Sequence, residues 1–437
     1  MSQASLIRSR RFAPLFITQF LGAFNDNVFR FALVIFVTFT VAAQTGMDTR
    51  MLVVLTGGIF ILPFFLFSAL AGELADKYEK SRLIRLIKSA EIAIMGLGAI
   101  GFWISSYPFL LAVLFLMGMQ STFFGPLKYG VLPQHLTAEE LTGGNGLIQL
   151  GTYVAILVGG MTGGLLASLG TAAPMAIIAC VIGIAGVGRI ASGYIPTAVP
   201  NDASIIIDKN LLRSTWRIVY ESSRDRGVFT LILLISLFWF AGATYLSVIP
   251  TYGKVLLGAN EQAVTLLSTG FTLGIGIGSL ACEKLSRSRI ELGLVPLAAL
   301  LMSLAAADVW LAGTPTPGAA SLTLASFFTH GPAVRMFVDL TLVGTGGALY
   351  IVPLYAALQN RVPPQRCSRM LAALNITNAL FMVASAGFTM ALYAFGVSIP
   401  GVFAAVAALT LCGMVAGMLA LPEFGRRARA LLTRSGG

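Results

Sequence analysis

The residues of this chain that could carry chemistry are concentrated in residues 22–30, which read Gly-Ala-Phe-Asn-Asp-Asn-Val-Phe-Arg. This stretch lies inside the first long apolar segment, where a charged side chain costs about 2.5–3.5 kcal/mol at the centre of a membrane helix. Asp26 and Arg30 are four residues apart, so one interpretation is an ion pair that holds helices together. The other is a polar pocket that binds a substrate or a proton. Because buried ion pairs stabilise proteins poorly, we favour the pocket, with Asn25 and Asn27 as further ligands.

The composition is that of an integral membrane protein. Of the 437 residues, 57% are hydrophobic and 11% are charged, whereas a soluble protein averages about 25% charged residues. The four cysteines form no Cys-x-x-Cys pair, and His135 and His330 stand alone, so neither a disulfide framework nor a metal site is predicted. The sequence has no Walker motif and no readable nucleophile triad. We therefore expect no ATP-driven transport, no cofactor and no enzymatic activity.

Apolar segments of about 20 residues, the length that spans a bilayer, recur twelve times. They lie at 13–43, 51–75, 84–104, 108–127, 143–169, 173–196, 227–250, 262–281, 291–312, 334–357, 370–395 and 398–421. The longest polar stretch, 197–226, follows the sixth segment. The sequence predicts an all-α membrane protein with twelve transmembrane helices in two six-helix halves, 1–196 and 227–421. A cytoplasmic linker at 197–226 joins the halves, and a basic tail follows at 422–437.

The basic residues predict the orientation. When Lys and Arg are assigned to the predicted loops, 25 lie on the side of the termini, Lys88 among them, and 3 lie on the other side. Under the positive-inside rule, both termini are therefore expected in the cytoplasm. The asymmetry also explains the net charge of +11 by topology and contact with anionic membrane lipids. A nucleic-acid partner is not expected.

Four other charged side chains in the apolar segments are predicted to have local roles. Glu91, in the third segment, is expected near the cytoplasmic interface, and Asp308 near the outer end of the ninth. Arg335 and Asp339 are four residues apart at the start of the tenth segment. They are predicted to form a local ion pair, and the alternative is a gate on the outer side.

The two halves of the sequence are weakly similar to each other. Residues 68–73 end the second segment as residues 279–283 end the eighth, and residues 125–129 end the fourth as residues 352–355 end the tenth. Each pair falls at the same place in its half. Parallel repeats of this kind are typical of transporters whose substrate site lies at the interface between repeats.

The loop after the second segment carries the strongest local motif. Residues 72–82 read Gly-Glu-Leu-Ala-Asp-Lys-Tyr-Glu-Lys-Ser-Arg, which resembles the signature loop of the major facilitator superfamily, Gly-x-Leu-Ala-Asp-x-x-Gly-Arg-Lys. Glu79 departs from that pattern, which often has glycine there. Gly72 is predicted to let two helices approach closely, and Asp76 to accept hydrogen bonds from a helix N-terminus and from arginines. With Arg82 they are predicted to form a latch that stabilises one alternating-access state.

Three further motifs resemble the bacterial lysophospholipid transporter family, a branch of that superfamily that is fused in some proteins to an acyl-ACP acyltransferase. They are Gly-Ala-Phe-Asn-Asp-Asn at 22–27, Gly-Pro-Leu-Lys-Tyr-Gly-Val-Leu-Pro at 125–133 and Gly-Gly-Asn-Gly at 143–146. The resemblance covers nearly the whole chain. It implies the major facilitator fold, and it implies that Asp26 and Lys128 correspond to the acidic residue of span one and the lysine of span four in that family.

Two departures from the family concern the lipid head group. Members often carry an acidic residue in span five, where this chain has Gln149, and smaller members carry an arginine in span seven, where residues 242–247 contain no cation. The head-group contacts are therefore expected to differ. No acyltransferase domain follows the last segment, so a separate acyltransferase is the expected partner if the lipid is reacylated.

The polar residues suit such a substrate. A lysophospholipid head crosses hydrocarbon only if polar groups replace its water. The carboxylate of Asp26 suits an ammonium group, and Lys128 or Arg30 suits the phosphate. Amide side chains can hydrogen-bond to either group; they are Asn25, Asn27, Asn145 and Gln149. We expect a monomeric secondary transporter that moves lysophospholipids across the bacterial inner membrane, with the direction, toward the cytoplasmic leaflet, implied by the resemblance alone.

Two alternative functions stay open at this point. The first is a facilitator-type exporter of small amphiphilic compounds, which would have the same fold and broader substrates. The second is a membrane scaffold that recruits an acyltransferase through its basic cytoplasmic face. The charged residues within the spans weigh against the scaffold, because a scaffold needs no charge in lipid.

Overall fold

The structure, a computed structural model, describes residues 3–36, 49–208, 210–286, 289–315 and 322–434. A few features predicted from the sequence lie outside these ranges. They are the end of the first span at 37–43, the basic residues Lys209 and Arg287, and the last three residues of the tail.

Long helices make up most of the described chain. The first half contains α1 (Gln3–Arg8), α2 (Ala13–Phe36), α3 (Thr49–Lys77), α4 (Lys80–Trp103), α5 (Tyr107–His135), α6 (Ala138–Ala167) and α7 (Ala173–Gly193). The rest contains α8 (Leu211–Ser223), α9 (Arg226–Thr251), α10 (Glu261–Leu285), α11 (Leu294–Leu311), α12 (Gly331–Arg361), α13 (Cys367–Ala394), α14 (Ile399–Ala420) and α15 (Glu423–Arg434). The twelve predicted spans correspond to α2–α7 and α9–α14.

The helices have the length and composition of membrane spans. Within the described residues, ten of them are long and apolar enough to cross a membrane. The two long helices outside that set are α2, with Asp26 and Arg30, and α4, with Lys88 and Glu91. The chain is a multi-pass membrane protein, as predicted from its composition.

Short polar side chains begin several helices, because the first N–H groups of a helix have no partner within it. Asp225 precedes α9 and accepts a hydrogen bond from the backbone N–H of Val228 at 3.0 Å. Asn260 precedes α10 in the same way, and Ser398 precedes α14. The helix starts are thus encoded locally, next to the apolar runs.

The helices form two compact units, which we describe separately. Unit 1 comprises residues 1–137, 151–222 and 362–379. In it, α2 packs against α7, α4 packs against α5 and α7, and α3 packs against α5. In this unit a Cβ on Gly118 of α5 would lie 2.3 Å from the carbonyl oxygen of Phe60 in α3, so the two backbones meet where only glycine fits.

Unit 2 comprises residues 138–150, 223–361 and 380–437. In it, α9 packs against α14, α11 packs against α12 and α14, and α10 packs against α12. In both units the first span packs against the sixth, the second against the fourth, and the third against the fourth and the sixth. A glycine again permits one close approach, since a Cβ on Gly274 of α10 would lie 2.1 Å from the carbonyl oxygen of Thr341 in α12. The domain borders at 196 and 227 stay a prediction from the sequence.

Candidate functional site

Asp26 lies in the middle of α2, in unit 1, next to the buried side chains of Asn25 and Asn27. The hydroxyl of Ser121 in α5 donates a hydrogen bond to its Oδ2 at 2.5 Å. Among the described residues, no other side chain hydrogen-bonds to this carboxylate. One oxygen of Asp26 is therefore held by the neighbouring helix, and Oδ1 accepts no hydrogen bond from the described residues.

A chain of polar contacts leads from Asp26 into the interior of unit 1. Next to Ser121, Gln120 donates from Nε2 to Oε2 of Glu91 at 3.1 Å. Glu91 also forms a close ion pair with Lys88. Asn25 donates from Nδ2 to the other oxygen, Oε1, at 3.1 Å. Helices α2, α4 and α5 are thus joined by a buried polar network next to Asp26.

Two glycines make room for the Lys88 side chain. A Cβ on Gly22 of α2 would lie 3.1 Å from Lys88 Nζ, and a Cβ on Gly188 of α7 would lie 3.0 Å from Lys88 Cε. The glycine that opens the 22–27 motif therefore has a packing role that the sequence did not reveal.

The sequence did not predict that Lys88 and Glu91 pair with each other. Both side chains are about 99% buried, and their position relative to the membrane interface stays a prediction. The physical reason is that each charge neutralises the other, so both can leave water together.

The predicted ion pair between Asp26 and Arg30 is also not formed. The Arg30 guanidinium lies over the ring of Phe60 in α3, 5.0 Å from its centroid. The face of an aromatic ring attracts a cation, most strongly away from water. Lys128 in α5 is similar, with Nζ 4.8 Å from the centroid of Tyr129. Within the described residues neither cation forms an ion pair, although the charge of Asp26 acts on both.

The predicted amide ligands occupy different places. Asn27 donates to the carbonyl oxygen of Ala23 in its own helix at 2.7 Å. Asn145 and Gln149 are buried in unit 2, where Asn145 donates to Oε1 of Gln359 at 2.6 Å. The structure therefore brings Asp26, Asn25, Ser121 and the Lys88–Glu91 pair into one network, whereas Asn27 bonds within its own helix and Asn145 bonds to Gln359.

The loop motif makes the contacts predicted for it. A Cβ on Gly72 would lie 2.6 Å from Cβ of Ala372 in α13, which confirms the close helix approach. Asp76 accepts hydrogen bonds from the backbone N–H groups of Ser368 at 3.0 Å and Arg369 at 3.1 Å, at the N-terminus of α13. Arg369 Nε adds a bond at 3.2 Å. The carboxylate thus binds a helix N-terminus and an arginine, as expected.

The arginine that binds Asp76 is Arg369 and not Arg82, the arginine predicted to belong to the latch. Arg82 is exposed, and its backbone N–H, 2.7 Å from Oε2 of Glu79, is the group that the structure engages. Among the described residues the Arg82 side chain forms no ion pair, so its part in the latch stays a prediction from the sequence. Position 82 lies on the first turn of α4, where the side chain points into solvent.

Glu79, the departure from the superfamily pattern, caps α4 and ties down the linker. Its carboxylate accepts from the N–H groups of Ser81 and Arg82, and from the N–H of Ala198 at 2.9 Å. Burial raises the pKa of Glu79, but these hydrogen bonds outweigh burial and hold the pKa below its usual value. Glu79 is therefore ionised at neutral pH, when it accepts these bonds best.

The linker continues along the ends of the unit 1 helices. Asn201 donates from Nδ2 to Oδ1 of Asp76 at 2.7 Å. Further along, Ser214 donates to Oε1 of Glu73 at 2.8 Å, and Arg217 forms a close ion pair with the same carboxylate. Helix α8 is thus fastened by one face to the end of α3.

The predicted pair in α12 has a different partner as well. Arg335 binds Asp308 of α11 through two parallel hydrogen bonds, Nε to Oδ2 at 2.8 Å and Nη2 to Oδ1 at 2.7 Å. Asp339 stays buried on the same helix. A planar guanidinium prefers a carboxylate that it can bind with two N–H groups at once, and Asp308 meets that geometry.

Sequence reasoning missed the residues that support Asp26 and Asp76. These are Gln120, Ser121, Asn201 and Arg369, together with the buried state of Lys88. A signal existed for one pair only: Gln120 and Ser121 are adjacent polar residues inside an apolar span, five and four residues before the start of the 125–133 motif.

The comparisons with known proteins agree with this architecture. The family model of the Major Facilitator Superfamily matches residues 15–334. The chain belongs to the major facilitator superfamily. The matched region covers most of the twelve spans and includes Asp26, Asp76 and Lys128.

Solved structures of the superfamily share the fold. The human organic anion transporter MFSD10 superposes with a TM-score of 0.71 at 15% identity, and the match covers 92% of this chain and 98% of that one. The fucose:proton symporter of E. coli gives a TM-score of 0.67 at 14% identity, with coverage of 94% and 98%. The predicted all-α major facilitator fold is confirmed.

Curated relatives point to one branch. The chain is 27% identical over 369 residues to proteins named lysophospholipid transporter LplT from Salmonella newport and Salmonella typhimurium, covering 81% of each chain. This similarity confirms the family resemblance that was predicted from the motifs.

Proposed function

We propose that this protein is a secondary transporter, not an enzyme, that moves lysophospholipids across the bacterial inner membrane toward the cytoplasmic leaflet by alternating access. The observation that carries the proposal is the carboxylate of Asp26 inside a membrane helix, held by one hydrogen bond from Ser121. A carboxylate in that setting marks a binding site or proton site by default. The similarity to the Salmonella lysophospholipid transporters supports a lipid substrate.

Asp26, Arg30 and Lys128 are the proposed head-group contacts. Asp26 would bind an ammonium group through its unengaged oxygen, Oδ1. Arg30 and Lys128 rest on aromatic faces, and either can exchange that contact, worth about 0.5–2 kcal/mol, for a stronger charge-assisted bond to phosphate.

The amide side chains are weaker candidates for contact with the head group. Asn25, Asn27 and Asn145 each donate a hydrogen bond within the protein, so a lipid would have to compete for them. With Gln149, they stay predicted ligands from the sequence.

The structure leads us to replace one residue of the proposed latch, Arg82, with Arg369. We assign the stabilisation of one transport state to Gly72, Asp76 and Arg369, because these residues meet at the N-terminus of α13. Arg82 is retained only as a residue of the α4 cap. A monomer with both termini in the cytoplasm, and a separate acyltransferase that consumes the lipid, complete the proposal.

Reconstituted transport tests the site. In proteoliposomes with fluorescent lysophosphatidylethanolamine, Asp26→Asn should slow lipid movement roughly 10- to 150-fold, because a hydrogen bond to a charged group contributes about 1.5–3 kcal/mol. Glu221→Gln, which makes the same carboxylate-to-amide change on α8, should transport like the wild type. Both variants should be folded, as judged by size-exclusion chromatography.

Three results would count against the proposal. Wild-type rates in Asp26→Asn would refute the site. A wild-type protein that moves no lysophospholipid but exports cationic dyes would favour the amphiphile exporter. The scaffold would be favoured by two results together. Asp26→Ala would leave lipid transfer intact, and deletion of residues 197–226 would abolish recruitment of the acyltransferase.

A further inference from the structure

Unit 2 contains a cavity of about 220 Å³ where the C-terminal end of α11 meets the N-terminal end of α12. Its lining includes Tyr252, Ala312, Arg335, Met336 and Asp339. A water molecule occupies about 30 Å³ in the liquid, so the cavity has room for a small organic group. None of the residues proposed to contact the head group in unit 1 belongs to this lining.

The charges in the cavity do not balance. Arg335 and Asp308 neutralise each other through two hydrogen bonds. Asp339 is only 5% exposed, and no donor in the described part of the chain reaches its Oδ2. Asp308 lies next to Asp339, close enough for the two carboxyl groups to share a hydrogen bond when Asp339 is protonated. The cavity therefore has one buried carboxylate oxygen without a hydrogen-bond partner.

A buried carboxylate without a partner is expensive unless a proton or a cation joins it. The other lining groups favour an organic cation. Tyr252 is 2% exposed and lines the same cavity, and aromatic rings and carboxylates together bind ammonium groups well. A divalent metal ion is disfavoured, because the described residues contain no cluster of three metal-ligating side chains.

Arg335 adds a second element of recognition at the rim. Its side chain is 49% exposed, and only two of the five N–H donors of a guanidinium are engaged with Asp308. The remaining donors can bind a phosphate. Because Arg335 and Asp339 are one helical turn apart on α12, a cationic and an anionic subsite lie side by side.

We propose that this cavity is a second head-group site, which binds the ammonium of a phosphoethanolamine head at Asp339 and its phosphate at Arg335. The inference rests on the proposed function and extends it, because it assigns a preference for ammonium-bearing over glycerol-bearing lysophospholipids. The site is separate from Asp26 and has its own carboxylate.

Binding of water-soluble head groups tests the site without transport. The full-length protein in nanodiscs would be titrated by calorimetry with sn-glycero-3-phosphoethanolamine and with sn-glycero-3-phosphoglycerol, which lacks the ammonium. Asp26→Asn is the background, so that the carboxylate proposed for the unit 1 site cannot contribute to binding. Adding Asp339→Asn should weaken binding of the ethanolamine compound at least tenfold and leave the glycerol compound unchanged. Adding Glu221→Gln instead should change neither affinity.

A second variant guards against misfolding of Asp339→Asn. Ala312 lies at the exposed edge of the cavity, so Ala312→Trp should block the ethanolamine compound while leaving Asp339 in place. Equal affinity of the ethanolamine compound with and without Asp339→Asn would overturn the inference, and would mean that Asp339 carries a proton instead. Equal weakening of both compounds would overturn the ammonium preference.

The inference and the proposed function can fail separately. Binding that depends on Asp339 in a protein that moves no lysophospholipid would leave the cavity site standing and reject the transport proposal. Lysophospholipid transport by a protein whose head-group binding does not depend on Asp339 would support the transport proposal and reject the cavity site.

Discussion

The ion pair of Lys88 and Glu91 is the most unusual arrangement of single residues in this protein. Moving two charges out of water costs more than their attraction usually returns, unless further hydrogen bonds satisfy both groups. Here Asn25 and Gln120 bind the two oxygens of Glu91. Since Gln120 is adjacent to Ser121, which holds Asp26, the pair serves to fix the surroundings of Asp26 more than to stabilise the fold.

A double-mutant cycle tests this arrangement. Glu91→Gln alone should lower the free energy of unfolding by about 3–5 kcal/mol, because it leaves Lys88 as an uncompensated buried charge. Adding Lys88→Met should recover much of that loss, since no charge then remains. The measurement is denaturant-induced unfolding of the purified protein in detergent. Additive losses in the double variant would contradict the assignment of a coupled pair.

The sequence could locate Asp26 but not identify its partner. The position was predictable because a carboxylate in an apolar segment stands out at once. The i to i+4 spacing favoured Arg30, yet Ser121, 95 residues away along the chain, is the group that binds. Local spacing describes one helix only, and the neighbouring helices α3 and α5 decided which contacts Arg30 and Asp26 made.

The loop after α3 and the linker at 197–226 are joined by hydrogen bonds to each other and to helix ends. Asp76 caps α13, Glu79 caps α4 and holds Ala198, and Asn201 binds Asp76. The motif predicted the type of contact, a helix N-terminus and an arginine, because an aspartate carboxylate complements both. It could not predict Arg369, because no pattern within the loop refers to a residue 293 positions later.

Labelling of Cys367 tests the cap on α13. Cys367 is buried at the first position of that helix. Asp76→Asn should raise its rate of maleimide labelling roughly tenfold or more, because a hydrogen bond to a charged group contributes about 1.5–3 kcal/mol. Arg82→Gln should leave the rate unchanged. The other three cysteines would be replaced by alanine in every sample, and equal rates in both variants would reject Asp76 as the cap.

At the scale of the whole molecule, the same helix pairs pack in both units. The sequence predicted twelve spans and two similar halves, because apolar length and loop charge repeat regularly along it. The sequence did not predict that each unit includes a segment from the other half, 138–150 or 362–379. Apolar periodicity shows that a helix exists, but not where along its length its neighbours change.

The repeat makes a prediction about glycines. Gly118→Ala in α5 and Gly274→Ala in α10 should each lower stability by about 1–3 kcal/mol, because the added Cβ would meet a backbone carbonyl at 2.3 and 2.1 Å. Gly186→Ala and Gly387→Ala are matched controls, since a Cβ there meets nothing within 4 Å. Thermal unfolding in detergent provides the comparison, and four equal melting temperatures would contradict it.

The position of Arg369 has a consequence for biosynthesis. Arg369 is made 293 residues after Asp76, which at about 5–20 residues per second is on the order of 15–60 s later on the ribosome. Asn201 follows Asp76 by only 125 residues. The nascent chain can therefore offer the carboxylate of Asp76 a first partner from the linker long before α13, the helix that Asp76 caps, has been synthesised. The linker would then stabilise the end of α3 while the second half is still being made.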